Sequence, residues 1–306
     1  MMHKSVLLDE AINNLNIKED GIYVDATLGL GGHSREILKR IKKGMLFAFD
    51  QDVYATTHAY PSLKEIGDNF VIINDNFVNM KKILEDKGVS LVDGILFDLG
   101  VSSPQLDDAS RGFSYQKDAR LDMRMNQSGN LSAYYVVNNY SEKELSDIIF
   151  NYGEEKYAKS IARNIVKYRE DKDIETTLEL VDIIKSSMPY KAMRDTHPAK
   201  RTFQAIRIEV NDELNVLKVA LEDALSMLKV GGRVCVITFH SLEDRVVSAM
   251  FKKYSSVEDT FSDLPFVPEE YLPKYRVVGK FSPSKEELEV NNRAHSARLR
   301  VIEKIR

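Results

Sequence analysis

A glycine-rich turn is the segment of the sequence whose residue types best suit chemistry. It reads D-A-T-L-G-L-G-G-H-S over residues 25–34, between a strand-like segment and a helix-like one. Glycines let the backbone approach a ligand closely, and the start of the following helix offers free N–H groups. The turn is also consistent with a tight strand-to-helix connection. It therefore predicts a ligand site only in combination with other residues.

Asp50 provides such a combination, because it ends the next apolar run, Met45–Phe49. An acidic residue at that place accepts hydrogen bonds from ribose hydroxyls in nucleotide-binding folds, although alone it is equally consistent with a solvated strand end. The dinucleotide pattern G-x-G-x-x-G/A, counted from Gly29, ends on Ser34, and no Walker lysine follows. A nucleoside without phosphates fits better, and S-adenosylmethionine is the common cofactor of that kind.

Asp98 ends a further apolar run and opens the segment D-L-G-V-S-S-P-Q, residues 98–105. Ligands of open α/β sheets bind beyond the carboxyl ends of the strands, so we expect Asp98 beside the reactive end of the cofactor. A carboxylate there can accept hydrogen bonds from an exocyclic base amine, which localises the nitrogen lone pair for methyl transfer. Asp98 is the catalytic candidate, and a contact with the cofactor alone is the compatible alternative. Ser102 and Ser103 are weaker catalytic candidates that alternatively cap the next helix.

Two further residues near these runs have two interpretations each. Phe77 either stacks on an adenine ring or belongs to the core, and His33 either hydrogen-bonds the cofactor or caps its helix. The six histidines have no Cys or His partners at ligand spacing, so we expect no metal.

Two basic segments indicate contact with nucleic acid. The first, residues 191–207, carries five Lys or Arg against one Asp, and the second lies at the C-terminus. Cations mixed with a histidine and an aromatic residue suit phosphate contact and base stacking, although single charge runs are usually solvated surface. The candidates for RNA binding are Arg194, His197, Lys200, Arg201, Phe203, Arg207, Arg298 and Arg300.

The elements that position these residues alternate between strand-like and helix-like patterns over the first hundred residues, which predicts a parallel sheet. Strand patterns disappear over residues 106–198, where helical spacing takes over. The α/β pattern resumes with one long helix predicted from Thr202 to Lys229, ended by Gly231 and Gly232, and a terminal antiparallel strand pair. We expect an α/β class I (Rossmann-like) methyltransferase core over residues 1–105 and 199–306, with an all-helical insertion for RNA recognition over residues 106–198.

The composition is that of an ordinary globular protein, with 43% apolar and 29% charged residues among 306. The net charge of −4 excludes a wholly basic coat protein for nucleic acid but leaves room for a local basic face. Cys235, the single cysteine, lies in an apolar run and is predicted to pack in a buried strand. No segment approaches the ~20 apolar residues of a membrane span, so we expect a soluble cytoplasmic protein.

Six motifs spread over the chain resemble those of the bacterial small-subunit ribosomal RNA (cytosine-N4-)-methyltransferase H family. D-L-G-V-S-S-P-Q-L-D is the longest and most specific, and the others are D-A-T-L-G-L-G-G-H-S, R-G-F-S-Y, L-D-M-R-M, H-P-A-K-R-T-F-Q-A-I-R-I-E-V-N-D-E-L and F-H-S-L-E-D-R. The resemblance implies N4-methylation of a cytosine in small-subunit (16S) rRNA near the decoding site. It also implies that S-adenosylmethionine contacts Gly31, Gly32, His33, Asp50, Phe77, Asp98 and Gln105.

The chain departs from the family pattern at two places outside that cofactor set. Asp118-Ala119-Arg120 stands where the family usually has D-G-P, and His295 stands where an arginine is common. The expected partner is small-subunit rRNA or the assembled small subunit. A homodimer is compatible with the sequence, which does not demand one.

Three alternatives remain open from the sequence. A DNA amino-methyltransferase is disfavoured because D-L-G-V replaces the D-P-P-Y-like motif expected after the fourth strand. A non-catalytic RNA-binding assembly protein that retains a nucleoside pocket belongs to a different class. A nicotinamide-dependent dehydrogenase is a distant further alternative.

Overall fold

The computed structural model describes residues 5–194, 196–257 and 266–306. The chain separates into two compact units, one formed by residues 1–100 and 214–306 and the other by residues 101–213. In the described ranges, no helix is long and apolar enough to cross a membrane.

The first unit contains a seven-stranded sheet in the order β3-β2-β1-β4-β5-β7-β6. The first five strands of that order are parallel, β7 is antiparallel to β5, and β6 is antiparallel to β7. The α/β fold class and the terminal antiparallel pair are therefore confirmed. The strands are β1 (Ile22–Asp25), β2 (Met45–Phe49), β3 (Phe70–Ile73), β4 (Val92–Asp98), β5 (Leu228–Thr238), β6 (Tyr275–Phe281) and β7 (Arg298–Lys304).

Alternate residues of the central strands enter two separate cores. Val24 and Phe47 lie in one core with residues of α4 and α12, whereas Tyr23, Leu46 and Cys235 lie in the other. This two-residue alternation is what a pleated sheet imposes when helices cover both faces. The helices of this unit are α1 (Leu8–Asn14), α2 (Gly32–Arg40), α3 (Val53–Lys64), α4 (Met80–Asp86), α11 (Glu213–Ser226), α12 (Ser241–Ser255) and α13 (Lys285–Val290).

Cys235 is fully buried in the second of these cores, as its apolar run predicted. Burial raises the pKa of its thiol to about 12, so the side chain is an uncharged packing group at neutral pH.

The second unit is helical and has one apolar core of its own. Hydroxyl side chains start three of its helices, since Ser132, Ser141 and Thr176 each accept a hydrogen bond from a backbone N–H in the first turn. The helices are α5 (Ser103–Asp107), α6 (Ala133–Asn139), α7 (Glu142–Gly153), α8 (Ala158–Arg169), α9 (Thr177–Ser186) and α10 (Lys200–Asn211).

The single long helix predicted from Thr202 to Lys229 is wrong. The structure has two helices, α10 and α11, because Asp212 adopts a left-handed conformation with φ 48° and ψ 37° that ends α10. Gly231 and Gly232 lie within β5 instead of ending a helix.

Phe203 and Ile206 on α10 are buried in the core of the second unit. The second unit accordingly ends after residue 213. The sequence predicted that it ends after residue 198. The first division falls after residue 100, against residue 105 in the prediction.

The loop that departs from the family pattern is held by α9 and the residues before it. Arg120 forms an isolated antiparallel bridge with Thr176, and the carbonyl of Ala119 accepts a hydrogen bond from the N–H of Thr177 at 2.8 Å. Asp118 accepts the N–H of Leu178 at 3.3 Å. These contacts fix the loop without the glycine and proline that are usual there.

Candidate active site

The glycine-rich turn connects β1 to α2 and is closed by polar side chains at its two ends. Asp25, the last residue of β1, accepts a hydrogen bond from the hydroxyl of Ser34 at 2.6 Å and from the N–H of Thr27 at 3.1 Å. The N–H of Asp98 donates to the hydroxyl oxygen of Thr27 at 2.6 Å, which ties the turn to the end of β4. The turn is therefore a preformed cradle at the carboxyl edge of the sheet.

Two positions of this turn favour glycine, one for its backbone conformation and the other for lack of space. Gly31 has φ 80° and forms the N-cap of α2 in a left-handed conformation, which favours glycine. A Cβ on Gly32 would lie 1.9 Å from the hydroxyl oxygen of Ser5, so a side chain there would displace the N-terminal segment.

Asp50 lies at the end of β2 with both carboxylate oxygens oriented by backbone. One oxygen accepts the N–H of Gly29 at 2.8 Å, and the other accepts the N–H of Asp52 at 2.9 Å. Burial raises the pKa of Asp50 to about 6 against the effect of these hydrogen bonds. A carboxylate fixed in this way beside the glycine turn fits the predicted acceptor for ribose hydroxyls.

Asp98 ends β4, opposite Ile237 of the parallel strand β5. Its side chain is 25% exposed, but Oδ1 is buried and has no hydrogen-bond partner among the described residues. Burial raises the pKa of Asp98 well above its ordinary value, and the negative charges of Asp25 and Glu243 raise it further. A buried acceptor without a donor is costly, and this makes Asp98 the strongest candidate for contact with a bound molecule.

His33 lies on the first turn of α2, with Nδ1 3.6 Å from Oδ2 of Asp98. Burial lowers the pKa of His33 to about 4, which a hydrogen bond with the backbone of Val6 only partly opposes. The imidazole is therefore neutral near pH 7, and its buried Nε2 has no partner in the described part of the chain.

Phe77 is half-buried at the start of the turn between β3 and α4. Its ring packs edge-on against Phe97, with 5.4 Å between the ring centroids. Both interpretations of this residue have support, since one part of the ring belongs to the core while the rest is exposed.

Gln105, Ser102 and Ser103 belong to the second unit. Ser102 and Gln105 together cap the start of a helix. Ser102 is the N-cap of α5, and its N–H donates to the side-chain oxygen of Gln105 at 3.0 Å. Ser103 and Gln105 are both buried. The capping interpretation therefore has direct support for Ser102, and Gln105 has a structural role besides its predicted contact with the cofactor.

Some of the RNA-binding candidates are paired, stacked or buried in the structure, and the others are exposed. Arg207 pairs with Glu213 through two 2.8 Å hydrogen bonds, Arg300 pairs with Asp244 at 2.7 and 2.9 Å, and Phe203 is 3% exposed in the core. His197 stacks on Tyr115 with 4.4 Å between the ring centroids. The exposed candidates are Arg194, Lys200, Arg201 and Arg298.

Sequence reasoning missed two acidic residues beside Asp98. Asp25 is 1% exposed with a pKa raised by burial to about 6, and Glu243 is 2% exposed at the start of α12. Asp25 ends an apolar strand just as Asp50 and Asp98 do, so the same signal was available for it. Glu243 gives no comparable signal, because it lies two residues into a helix and reaches the site only through the fold.

The carboxyl ends of β1, β2 and β4 thus bring together a ribose acceptor, a glycine cradle and a carboxyl group with an unused oxygen. The model of the MraW methylase family matches residues 1–305. The chain belongs to the MraW methylase family. The predicted resemblance to the small-subunit rRNA methyltransferase H family is confirmed by relatives that carry that name.

Two such relatives cover nearly the whole chain. Ribosomal RNA small subunit methyltransferase H of Exiguobacterium sibiricum is 54% identical over 99% of this chain and 98% of its own length. The protein of the same name from Limosilactobacillus fermentum is 53% identical over the same shares. An rRNA methylase from Streptococcus thermophilus, whose crystal structure is known, aligns over 100% of both chains with 13% identity and a TM-score of 0.44, which is too low to inform function.

Proposed function

We propose that the protein transfers the methyl group of S-adenosylmethionine to the exocyclic N4 amine of a cytosine in small-subunit (16S) rRNA, near the decoding site. The observation that carries the proposal is membership of a methylase family over residues 1–305, with relatives above 50% identity named for the small ribosomal subunit. The choice of a cytosine amine rests on the family resemblance of the D-L-G-V-S-S-P-Q-L-D motif.

The residues at the carboxyl edge of the sheet fit this cofactor. Asp50 would accept the ribose hydroxyls, and the adjoining turn favours glycine at Gly31 through its positive φ and at Gly32 through lack of space. The unpartnered Oδ1 of Asp98 and Nε2 of His33 offer polar contacts that the fold leaves unused. Phe77 would pack against the adenine, and the family resemblance adds Gln105 of the second unit to the proposed contacts. When bound, S-adenosylmethionine supplies a methyl group on a sulfonium, which is already an activated electrophile.

Asp98 would orient the acceptor amine. An amide-like base nitrogen is a weak nucleophile because its lone pair is delocalised into the ring, and a carboxylate oxygen that accepts its N–H localises that pair. Holding the amine in line with the methyl group then supplies much of the rate. The target base must reach the sulfonium, so it is unpaired in the substrate or leaves its stack.

The helical second unit is proposed to recognise the RNA. Lys200 and Arg201 on the first turn of α10 are exposed, and Arg194 is exposed just before it. Exposed cations of this kind contact phosphates and supply affinity without reading sequence. The acceptor is proposed to be small-subunit rRNA, alone or within the assembled subunit, and a homodimer is compatible with this proposal.

The test is methyl transfer from labelled S-adenosylmethionine to three acceptors: small subunits that lack the modification, protein-free rRNA and duplex DNA. We expect labelled N4-methylcytidine in digests of ribosomal acceptors, and the ratio of the two ribosomal acceptors tells which is the substrate. Label in DNA alone would replace the proposal with a DNA amino-methyltransferase. Tight RNA binding without label in any acceptor would favour a non-catalytic assembly protein.

A further inference from the structure

Four carboxyl groups converge at the carboxyl edge of the sheet in the first unit. Asp25 and Asp98 end β1 and β4, Asp50 directly follows β2, and Glu243 lies on the first turn of α12, after β5. The pKa values of the three aspartates are all raised, with burial as the largest cause. Like charges brought together without water repel one another, so the cofactor-free protein cannot keep all four ionised at low cost.

Three of these carboxyl groups have donors from the fold, and one does not. Asp25 accepts from Ser34 and Thr27, and Asp50 accepts from two backbone N–H groups. Glu243 accepts the N–H groups of Phe239 and His240 at 2.7 and 3.2 Å. Oδ1 of Asp98 alone is buried with no donor among the described residues.

The titratable groups that face Asp98 do not offset its charge. On β1, Asp25 repels it, and on the first turn of α12 Glu243 repels it too. On α2, His33 lies 3.6 Å away but is neutral, because burial lowers its pKa to about 4. His240 lies with Nε2 3.1 Å from Glu243 and so is oriented to that carboxylate. In the described part of the chain, no lysine or arginine pairs with Asp98.

We propose that Asp98 holds a proton in the cofactor-free protein and releases it when a cationic cofactor binds, so that the site distinguishes S-adenosylmethionine from its uncharged-sulfur product by proton release. Asp25 and Glu243 are the carboxyl groups whose charges strengthen this coupling, Asp25 more than Glu243. The inference rests on the proposed function, because it takes S-adenosylmethionine as the ligand of this site.

The charges of the two ligands make the difference. S-adenosylmethionine carries a sulfonium, an ammonium and a carboxylate, for a net charge of +1, whereas S-adenosylhomocysteine has a neutral thioether and a net charge of zero. A cation beside a carboxyl group favours its ionised form. Binding of the first ligand therefore expels the proton of Asp98, and binding of the second leaves it in place.

The same residue, Asp98, accepts the proton that the amine loses in methyl transfer. The N4–carbon bond forms as the sulfur–carbon bond breaks, and the electron pair of the broken bond stays on sulfur. The amine, which has gained a positive charge, must lose one proton. Asp98 regains its affinity for a proton at that moment, because the neighbouring sulfonium has become neutral. The proton therefore moves from the amine to Asp98, and product release returns the protein to its protonated form.

The experiment is calorimetric titration of the full chain with S-adenosylmethionine and with S-adenosylhomocysteine, each in phosphate and in Tris at about pH 7.5. The difference between the binding enthalpies measured in the two buffers gives the number of protons released on binding. This pH is above the pKa of about 6 of Asp25 and Asp50, so their contribution is small. We expect release of up to about one proton with the first ligand and near zero with the second. Sinefungin, which carries an amine in place of the sulfonium, should behave as the first.

Two variants and one control assign the proton. Asp98→Asn should remove the release, and Glu243→Gln should reduce it while leaving affinity for S-adenosylhomocysteine nearly unchanged. If Glu243 had only a structural role, Glu243→Gln would lower the affinity for both ligands alike. Glu36→Gln, which removes a charge paired with Lys39 and Arg40 on the outer face of α2, should change nothing.

Equal proton release with both ligands, or full release in Asp98→Asn, would overturn the inference and leave the proposed function intact. Failure of the wild-type chain to bind S-adenosylmethionine would instead overturn the proposed function and the inference with it.

Discussion

The two ends of β4 each carry an aspartate, and their surroundings are opposite. Asp93, near the start of the strand, accepts hydrogen bonds from Lys229 at 2.7 Å, Lys18 at 3.2 Å and the N–H of Ile22 at 3.0 Å. Burial would raise its pKa, but these donors together lower it. At the other end, Asp98 has no donor on Oδ1 among the described residues and a raised pKa.

The difference separates a structural charge from a functional one. At the amino end of the strand the fold itself supplies two ammonium groups and a backbone N–H, so the carboxylate stabilises the folded chain. At the carboxyl end the fold supplies two more carboxylates, so the same residue type destabilises it until a ligand arrives. An unfavourable charge interaction that a fold retains at the carboxyl end of a strand is typical of binding and catalytic sites.

The largest expected contrast is in catalysis. Asp98→Asn should lower kcat/KM for rRNA methylation by about 10³-fold, because a neutral amide oxygen is a weaker acceptor for the amine N–H than a carboxylate and cannot take up its proton. Asp93→Asn should keep a near-normal rate at temperatures where it is folded. Steady-state transfer with labelled cofactor measures both. A rate for Asp98→Asn within a factor of ten of wild type would remove Asp98 from the mechanism.

The second contrast is in stability and has opposite signs. Without cofactor at about pH 8, Asp98→Asn should raise the free energy of unfolding by about 1–3 kcal/mol, and Asp93→Asn should lower it by a similar amount. Denaturant unfolding gives both values. Destabilisation by both substitutions would mean that Asp98 has a structural role like that of Asp93.

The pH dependence of stability follows from the same shifts. A carboxyl whose pKa is raised by folding stabilises the protein at low pH, and that contribution is lost as pH rises through the raised pKa. Asp25 and Asp50, with pKa values of about 6, should therefore make the cofactor-free protein lose stability between about pH 4 and pH 6, and the raised pKa of Asp98 should add to this loss. Asp93 has the opposite sign, since its contribution is lost as pH falls through its lowered pKa. The decline of stability with rising pH should be shallower in Asp98→Asn.

The contrast between paired and unpaired charges extends to the basic segment. Lys200→Ala combined with Arg201→Ala should weaken rRNA binding by about tenfold at moderate salt and reduce the salt slope by one to two, because exposed cations contact phosphates. Lys143→Ala, at an exposed lysine paired with Asp147, is the matched control in the same unit. An equal loss in the control would indicate nonspecific electrostatics.

The smallest effect concerns the support of Asp25. Ser34→Ala removes the 2.6 Å hydrogen bond to that carboxylate and should weaken cofactor binding by about fivefold, the equivalent of one hydrogen bond. Calorimetric titration measures it, with Ser62→Ala as the control, because the hydroxyl of Ser62 donates at 2.9 Å to the carbonyl of Ala59 within α3. Unchanged affinity would show that the turn keeps its shape without Ser34.

The sequence predicted the sheet and part of the site for one physical reason. Apolar runs that end in aspartate, as at Asp50 and Asp98, mark the carboxyl ends of buried parallel strands, where ligands bind. It did not predict the break at Asp212, because the helical periodicity continues through a residue whose backbone turns left-handed. It also did not show which cations are already paired: Arg300 meets Asp244 across 56 residues of sequence. Contacts at that separation depend on the fold as a whole.

The most direct measurement is the free energy of unfolding of wild type and Asp98→Asn at about pH 8, with and without saturating S-adenosylmethionine. A ligand at a thousandfold excess over its Kd adds about 4.1 kcal/mol to the stability of the protein that binds it. We predict that Asp98→Asn is the more stable protein without cofactor and the less stable one with it. An Asp98→Asn protein that is less stable without cofactor and gains as much from it as wild type would contradict the account.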